Sequence, residues 1–352
     1  MKQVGILTLH YGLNYGGVLQ TYATKEILSS LGYSPIIIDR IPAIFGKSYP
    51  FKRAFIHPFT QHAFFAFRKN ELKPISKPIF SPSELSTFIT DSKLYGIVVG
   101  SDQVWRKGVF PVEGDYFLIK EQNIPIKKIA FAASMGVGKW EYNEEETQEI
   151  TSSLKRFDGI SVRETESVGL LKGNCDMDAT NVADPTIIAN PSIYDKLIGK
   201  SKTNCKGKLV TYILDWSDTK KEVINSISKS LNLEVHDILK RDYTKRSTIK
   251  RIISPSPSVY DWVGSIKSAD YVITDSFHGT AFSLIFNKQF TTIGNPERGM
   301  ARFNSLLGQV GLTNRITTGK ETIETNDIDY SIVNHSIDDL RKTGINFLKT
   351  HL

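Results

Sequence analysis

Residues Tyr271 to Asn287 read YVITDSFHGTAFSLIFN and contain the pattern that decides the fold class. The apolar run 271–274 has the length of a buried β-strand, and a second apolar run, 281–286, can continue as a helix. Polar residues and a glycine lie between them, at the turn from strand to helix. Free backbone amides and the helix dipole favour an anion at such a turn. Open α/β sheets bind their ligands at turns of this kind.

The same alternation of strand and helix runs along the rest of the chain. Further strands are predicted at 4–9, 35–38, 95–99, 128–133, 159–162, 208–214, 234–238 and 290–293. Helices are predicted at 17–31, 164–171, 218–231 and 260–268, with two more that begin at the caps Asn143 and Ser336. This alternation predicts an α/β protein with two doubly wound, Rossmann-like domains that face a cleft.

A polar stretch at 199–207 interrupts this alternation and indicates a connection between domains. We therefore expect an N-terminal Rossmann-like domain at 1–198 and a C-terminal one at 199–330. The remaining residues, 331–352, form a helix that we expect to pack back on the first domain.

Composition narrows the functional classes. The 352 residues are 40% hydrophobic and 23% charged, as in water-soluble globular proteins. No apolar run approaches the ~20 residues that cross a bilayer, and the N-terminus lacks a signal pattern, so a cytoplasmic location is expected. The net charge of +7 suits anionic small molecules or an anionic membrane face. The sequence contains no dense basic helix of the kind that indicates nucleic-acid binding. The two cysteines, Cys175 and Cys205, form no metal motif.

His278 is the first candidate for chemistry, because an imidazole transfers protons near neutral pH. It stands in the strand-to-helix turn with Asp275, Ser276, Gly279 and Thr280. The alternative is a structural histidine that is hydrogen-bonded to Asp275 or to a backbone carbonyl.

Two other turns follow predicted strands. In HYGLNYGG, residues 10–17, the glycines allow a ligand to approach the backbone, although a tight turn alone explains them. In GSDQVW, residues 100–105, Asp102 and Gln103 can bind sugar hydroxyls and Trp105 can stack on a sugar ring. The alternative makes Asp102 a helix cap and Trp105 a core residue.

Two arginines are candidate anion ligands. Arg163 leaves a predicted strand and suits bidentate capture of a carboxylate or phosphate, unless it pairs with Glu166. Arg298 follows the strand at 290–293. If this strand lies next to the strand that precedes His278, Arg298 is near His278. The sequence contains no GxSxG or HExxH motif, so we expect acid–base chemistry or binding without a metal.

The segment 45–67 is rich in phenylalanine and contains basic residues. It suits either a peripheral contact with lipid headgroups or, more simply, packing on the first domain.

Taken together, the ordered motifs resemble the polysaccharide pyruvyl transferase family. They are GILTLHYGLNYGGVLQTYA near the N-terminus, VVGSDQVW at 98–105, KIAFAASMG at 128–136, SVRE at 161–164, ADPT at 183–186, VITDSFHGTAFSLIFNKQF at 272–290 and GMARFNSLLGQVGLTNR at 299–315. Arg106 departs from the asparagine that often follows this tryptophan in the family.

The resemblance implies a glycosyltransferase-B-like fold and a defined reaction. Such enzymes transfer the enolpyruvyl group of phosphoenolpyruvate to two sugar hydroxyls, which forms a pyruvate ketal and releases phosphate. The acceptor would be a sugar of a capsule or exopolysaccharide, or of its lipid-linked precursor. No cofactor beyond phosphoenolpyruvate as co-substrate is implied, and the protein would work in the cytoplasm, at most at the inner face of the membrane.

The resemblance also assigns roles to residues. Catalysis is expected from His278 and Asp275. Donor binding is expected from Arg163, Ser276, Gly279, Thr280 and Arg298. Acceptor binding is expected from His10, Asn14, Tyr15, Gly16, Gly17, Ser101, Asp102, Gln103 and Trp105. Two other hypotheses stay open at this point: a nucleotide-sugar glycosyltransferase of the same fold, and a sugar-binding protein without catalytic activity.

Overall fold

The computed structural model describes residues 1–11, 13–41, 62–108, 113–239, 256–294, 300–319 and 324–352. These residues form two compact units, and each unit contains one parallel β-sheet. The first unit holds the described residues within Met1–Lys52, Arg68–Ala189 and Asp338–Leu352. The second holds those within Arg53–Phe67 and Asn190–Ile337. The division after Ala189 lies nine residues before the predicted domain boundary at 198.

Strands and helices alternate along the described chain. The strands are β1 (Gln3–Leu7), β2 (Ser34–Ile37), β3 (Gly96–Val99), β4 (Lys127–Ala133), β5 (Gly159–Val162), β6 (Thr180–Asn181), β7 (Lys208–Tyr212), β8 (Glu234–Asp237), β9 (Tyr271–Thr274), β10 (Gln289–Ile293) and β11 (Ile316–Thr317). The α-helices are α1 (Tyr15–Ser30), α2 (His62–Glu71), α3 (Pro82–Asp91), α4 (Glu113–Tyr116), α5 (Glu144–Leu154), α6 (Thr165–Cys175), α7 (Pro185–Ile188), α8 (Asp195–Ile198), α9 (Asp218–Leu231), α10 (Val259–Ser268), α11 (Phe277–Ile285), α12 (Ala301–Gln309) and α13 (Tyr330–His351).

The sheet of the first unit has the strand order β2-β1-β3-β4-β5-β6, and every neighbouring pair is parallel. The central strand β3 reads GIVV and is buried at all four positions. Such continuous apolar strands are expected where helices cover both faces of a parallel sheet. The turns that follow β1, β3, β4 and β5 therefore emerge along one edge of this sheet.

The sheet of the second unit has the order β11-β10-β9-β7-β8 and is also parallel throughout. Its centre is β9, the YVIT run quoted above, which is buried at every residue. The predicted fold class, α/β with two doubly wound parallel sheets, is confirmed.

Several predicted elements agree with the structure. The bounds 159–162, 218–231 and 271–274 are those of β5, α9 and β9. Asn143 and Glu146 form the expected capping box at the start of α5. In each case a strong local signal, an apolar run or a cap, fixes the ends of the element.

The prediction that the last helix begins at Ser336 was wrong, because α13 begins at Tyr330. The Asp329 carboxylate accepts hydrogen bonds from the backbone amide and the hydroxyl of Ser331, which satisfies the first turn. Val333 and Ile337 are buried four residues apart, so the apolar face extends through Ser336.

The end of α13 belongs to the first unit. Arg341 donates to the Ile187 carbonyl at 3.0 Å, and the Phe347 ring lies 6.4 Å from that of Phe131. The Tyr95 hydroxyl donates to the Leu352 carbonyl at 2.8 Å. These contacts tie the end of the chain to β4, to α7 and to the residue just before β3.

Most of the phenylalanine-rich segment 45–67 lies outside the described residues. Of its described part, Phe64 and Phe67 are fully buried, and the Phe67 ring lies 5.6 Å from Tyr260 of the same unit. These two rings contribute to packing. No helix of the described residues has the length and apolar character that crossing a bilayer requires.

Glu121 of the first unit is a buried carboxyl group whose hydrogen bonding is incomplete. Its side chain is completely buried, and Oε1 accepts a hydrogen bond from Ser86 Oγ at 2.5 Å. Among the described residues Oε2 has no hydrogen-bond partner. Burial therefore raises the pKa of Glu121, and the nearby Asp115 adds to this effect against the opposing hydrogen bond from Ser86.

Glu121→Gln should change how stability depends on pH. The folded-state pKa of Glu121 is raised above its unfolded-state pKa, which is near 4.5. The contribution of Glu121 to the free energy of unfolding is therefore fully present below the unfolded-state pKa and is lost as the pH rises through the folded-state pKa. The variant cannot ionise, so at pH 7.5 it should exceed wild type in free energy of unfolding by about 1–2 kcal/mol, and this advantage should shrink toward pH 4.5. Urea unfolding at several pH values, with the exposed Glu222→Gln as control, measures this. Parallel pH profiles for Glu121→Gln and wild type would contradict it.

Candidate active site

The β9–α11 turn holds His278 at the carboxyl end of the central strand of the second unit. Ser276 has an extended backbone just before α11, and its side chain does not cap the helix. The first amides of α11 therefore have no acceptor within the helix, as at any helix start. His278 is in the first turn and is 6% exposed, and its ring lies 5.2 Å from Phe277.

Gly279 lets α11 approach the end of β9. A Cβ added there would lie 2.2 Å from Thr274 Oγ1. That oxygen donates to the Tyr212 carbonyl and accepts from the Ser276 amide, so it cannot easily move. Thr280, in the same turn, is fully buried and bonds Thr292 Oγ1 at 2.8 Å. Gly279 and Thr280 therefore position the turn.

Asp275 joins this turn to the loop that follows β7. Its carboxylate accepts from the amides of Leu214 at 2.7 Å and Asp215 at 3.1 Å. It also forms a buried ion pair with Lys220 Nζ at 2.6 Å, and Nζ donates in addition to the Asp215 carbonyl. Among the described residues these are the partners of Asp275, and His278 is not one of them. Lys220, in the first turn of α9, was missed because it precedes Asp275 by 55 residues.

The turn after β1 contains residues with separate roles. His10 is fully buried, and its ring contacts Asp39 Oδ1 at 3.0 Å and the Thr8 carbonyl at 3.3 Å. Tyr15, Gly16 and Gly17 are buried at the start of α1. Asn14 is exposed and donates to Asp102 Oδ2 at 3.3 Å. Of this loop, Asn14 is therefore the predicted residue that the structure brings to another part of the candidate site.

The turn after β3 buries Ser101, Asp102 and Trp105 and leaves Gln103 partly exposed. Asp102 has φ of 67°, in the left-handed region, and is 4% exposed. Ser101 is buried and donates to Asp184 Oδ2 at 3.1 Å. Gln103 accepts from Arg106 at 2.8 Å. Trp105 is 1% exposed, stacks on Phe117 at 4.9 Å and donates to the Tyr116 carbonyl. Its ring is a core residue, the second of the two roles that the sequence allowed.

Arg163 lies at the end of β5 in a buried ion-pair network. It pairs with Asp184 at 2.8 Å and Glu164 at 3.4 Å, faces Asp102 at 3.8 Å and donates to Ser134 Oγ at 3.0 Å. Glu166, the partner considered from sequence, is exposed. Burial alone would lower the pKa of Arg163, but attraction by Glu164, Asp184 and Asp102 outweighs it and raises the pKa.

The three carboxylates around Arg163 differ in how many donors they have. Asp184 also accepts from Ser101 and from the amide and hydroxyl of Thr186. Glu164 accepts from the Met135 amide and from the hydroxyls of Ser134 and Ser167. Among the described residues, Asn14 is the hydrogen-bond donor to Asp102. Asp102 is thus the carboxylate of this group with the most capacity to accept from a ligand.

Two further observations complete the description. Arg298 lies outside the described residues. Within the described ranges, no group of three or more His, Cys, Asp or Glu side chains is arranged to hold a metal ion.

The sequence profile of the polysaccharide pyruvyl transferase family matches residues 14–297, which is most of the chain. The chain belongs to this family. The predicted resemblance is thereby confirmed, and membership indicates a pyruvyl transferase enzyme of polysaccharide biosynthesis. The matched range includes β9, α11 and the turns that hold Asp102 and Arg163. A search among curated proteins returned no match.

Solved structures support the fold. The UDP-GlcNAc 2-epimerase of Methanocaldococcus jannaschii aligns with a TM-score of 0.54 at 12% identity, over 99% of each chain. The Neisseria meningitidis UDP-GlcNAc 2-epimerase bound to UDP-GlcNAc aligns with a TM-score of 0.53 at 11% identity, over 100% of this chain and 94% of the other. These enzymes are of the glycosyltransferase-B type, so the predicted fold is confirmed.

Asp184→Asn should destabilise the first unit, because it leaves the buried Arg163 with weaker compensation. We expect the free energy of unfolding to fall by about 3 kcal/mol, within the range for breaking a buried pair. Urea unfolding measures this change. Glu166→Gln is the matched control on the exposed start of α6 and should change stability by less than about 0.5 kcal/mol. Equal stability of the two variants would show that the network is not needed for folding.

Proposed function

We propose that the protein transfers the enolpyruvyl group of phosphoenolpyruvate onto two hydroxyls of one sugar and releases phosphate. Family membership supports the pyruvyl transfer. The observation that carries the proposal is the position of His278, in the first turn of α11 beside amides that have no helical acceptor. This turn can serve an anionic donor that also needs a proton.

The proposed reaction begins with proton transfer to the CH₂ carbon of phosphoenolpyruvate, which becomes the methyl group of the product. The adjacent carbon gains oxocarbenium character, and the first sugar hydroxyl forms a C–O bond there. Loss of phosphate and attack by the second hydroxyl complete the cyclic ketal. Of the two hydroxyl protons, one replaces the proton donated to carbon and the other leaves with phosphate, so the balance closes.

His278 is the proposed general acid and base for these transfers. A helix N-terminus disfavours a charged imidazolium, and a donor phosphate bound beside it would offset that cost. The first amides of α11, which have no acceptor within the helix, would receive phosphate oxygens, as helix starts commonly do. Asp275 then has a positioning role: its bonds to Leu214, Asp215 and Lys220 hold the turn in place.

We assign the acceptor sugar to the first unit. Asp102 and Asn14 supply a carboxylate and an amide, which suit sugar hydroxyls. Arg163, a donor ligand by family resemblance, is surrounded by carboxylates in this structure, so a bound anion would have to displace at least one of them. Arg298 stays a predicted donor ligand. We further propose an acceptor from a cell-surface polysaccharide or its lipid-linked precursor, met at the cytoplasmic face of the membrane.

His278→Gln should lower kcat by about 10²–10⁴-fold at saturating donor, because glutamine can hydrogen-bond but cannot transfer a proton at neutral pH. Phosphate release from phosphoenolpyruvate, with a panel of galactosides, glucosides and mannosides as acceptors, measures the rate. The matched control is His335→Gln, since His335 is exposed on α13. A kcat near that of wild type in His278→Gln would refute the acid–base role.

Phosphoenolpyruvate should raise the melting temperature, because a ligand that binds the folded state stabilises it by about 2.7 kcal/mol at 100 times its Kd. Inorganic phosphate at the same concentration is the control for general anion binding. UDP-sugars should have no such effect. Stabilisation by UDP-sugars but not by phosphoenolpyruvate would favour a nucleotide-sugar glycosyltransferase instead.

A further inference from the structure

A cavity of about 380 Å³ opens on the first unit, in a part of the chain that the proposed reaction does not use. It is lined by two aromatic residues of the loop after β4 and by polar residues of α5 and α6. The side chains that matter here are Trp140, Tyr142, Asn143, Glu144, Gln148 and Asn174. We call this cavity the Trp140 groove.

The two aromatic rings of the groove are fixed before any ligand binds. Trp140 Nε1 donates to Thr147 Oγ1 at 2.9 Å, and the Tyr142 hydroxyl donates to the Trp105 carbonyl at 3.1 Å. The ring centroids of Trp140 and Tyr142 lie 5.2 Å apart with planes at 60°. Both residues are only partly buried, so part of each ring faces the groove. Rigid aromatic surface of this kind binds ligands at low entropic cost.

Polar groups with unused capacity surround the rings. Glu144 and Gln148 are exposed, and their side chains form no hydrogen bond to another described residue. Asn174 donates to the Leu170 carbonyl at 2.8 Å, which leaves its side-chain oxygen as an acceptor. Amide groups of this kind accept from and donate to hydroxyls, and carboxylates accept from them. This arrangement suits a sugar, because the rings can pack on the C–H face of a pyranose and the polar groups at the margin can bond its hydroxyls.

The charge of the groove favours one class of sugar over another. Glu144, Glu145 and Glu146 form the first turn of α5. Glu146 is paired with Lys107 at 2.5 Å, whereas the exposed Glu144 and Glu145 have no ion-pair partner among the described residues. The capping box also occupies helix amides that could otherwise bind an anion. Anionic ligands are therefore disfavoured, and a neutral saccharide is favoured.

We propose that the Trp140 groove binds neutral sugar units of the acceptor, next to the unit that receives the pyruvyl group. This inference rests on the proposed function for its biological meaning. Tyr142 connects the groove to the loop after β3 through its bond to Trp105, three residues from Asp102. A saccharide held at the groove would thus be anchored beside the loop assigned above to the acceptor, and the enzyme would prefer oligosaccharides to monosaccharides.

Direct binding tests the groove without any turnover. Saturation-transfer NMR with maltotetraose, cellotetraose, mannotetraose and galactotetraose should detect binding of at least one probe to the wild-type protein. Trp140→Ala should weaken that binding by about tenfold or more, and Trp140→Phe, which keeps an aromatic ring, by less than about threefold. Melting curves check folding. Gln148→Ala, an exposed change on α5, provides a second variant and should also weaken binding.

The outcomes separate this inference from the proposed function. If no tetrasaccharide binds, or if Trp140→Ala binds as tightly as wild type, the groove is not a sugar site. If binding depends on Trp140 but wild type releases no phosphate from phosphoenolpyruvate with any acceptor, the groove stands and the proposed reaction fails. With an active enzyme, the kcat/KM ratio of tetrasaccharide to monosaccharide acceptor should fall about tenfold in Trp140→Ala, and an unchanged ratio would overturn the role in acceptor binding.

Discussion

A buried carboxylate is costly unless donors surround it, and this constraint organises the candidate site in each unit. In the first unit, the Asp184 carboxylate accepts hydrogen bonds from Arg163, from Ser101 and from the start of α7. In the second unit, the Asp275 carboxylate accepts hydrogen bonds from Lys220 and from two amides of the loop after β7. Asp184 bonds groups that follow β3 and β5, and Asp275, which follows β9, bonds groups that follow β7. The turns at the carboxyl edge of each sheet are therefore held together by one ionised group rather than by apolar packing alone.

Most strands of both sheets could be predicted because their signals are local, whereas the two-residue strands β6 and β11 were not predicted. The YVIT run indicates a buried strand, and the structure contains it as β9. The Asn143 capping box is equally local. The start of α13 was missed because Ser336 has the residue type of a cap although it lies inside the helix. In the structure the Asp329 carboxylate accepts from the Ser331 amide in the actual first turn.

Partners within the site could not be predicted in the same way. Glu166 was the alternative partner considered for Arg163 because the two are close in sequence, yet the partner Asp184 is 21 residues away across β6. Likewise, Lys220 reaches Asp275 from the preceding α/β segment of the second unit. The side chains that sequence proposed for a sugar, Trp105 above all, divide into buried and accessible only once packing is known. Trp140 and Tyr142, which are only partly buried, lie outside the motif that drew attention to Trp105.

The charges of the two edges argue for a division of labour in the proposed reaction. At the edge of the first unit, the single positive charge of Arg163 faces Asp102, Glu164 and Asp184, so an added dianion would meet excess negative charge. At the β9–α11 turn, Asp275 is neutralised by Lys220, and the helix amides next to His278 add positive potential. A donor with a phosphate and a carboxylate is therefore better suited to the second unit. A neutral sugar, which gains hydrogen bonds from carboxylates without repulsion, is better suited to the first.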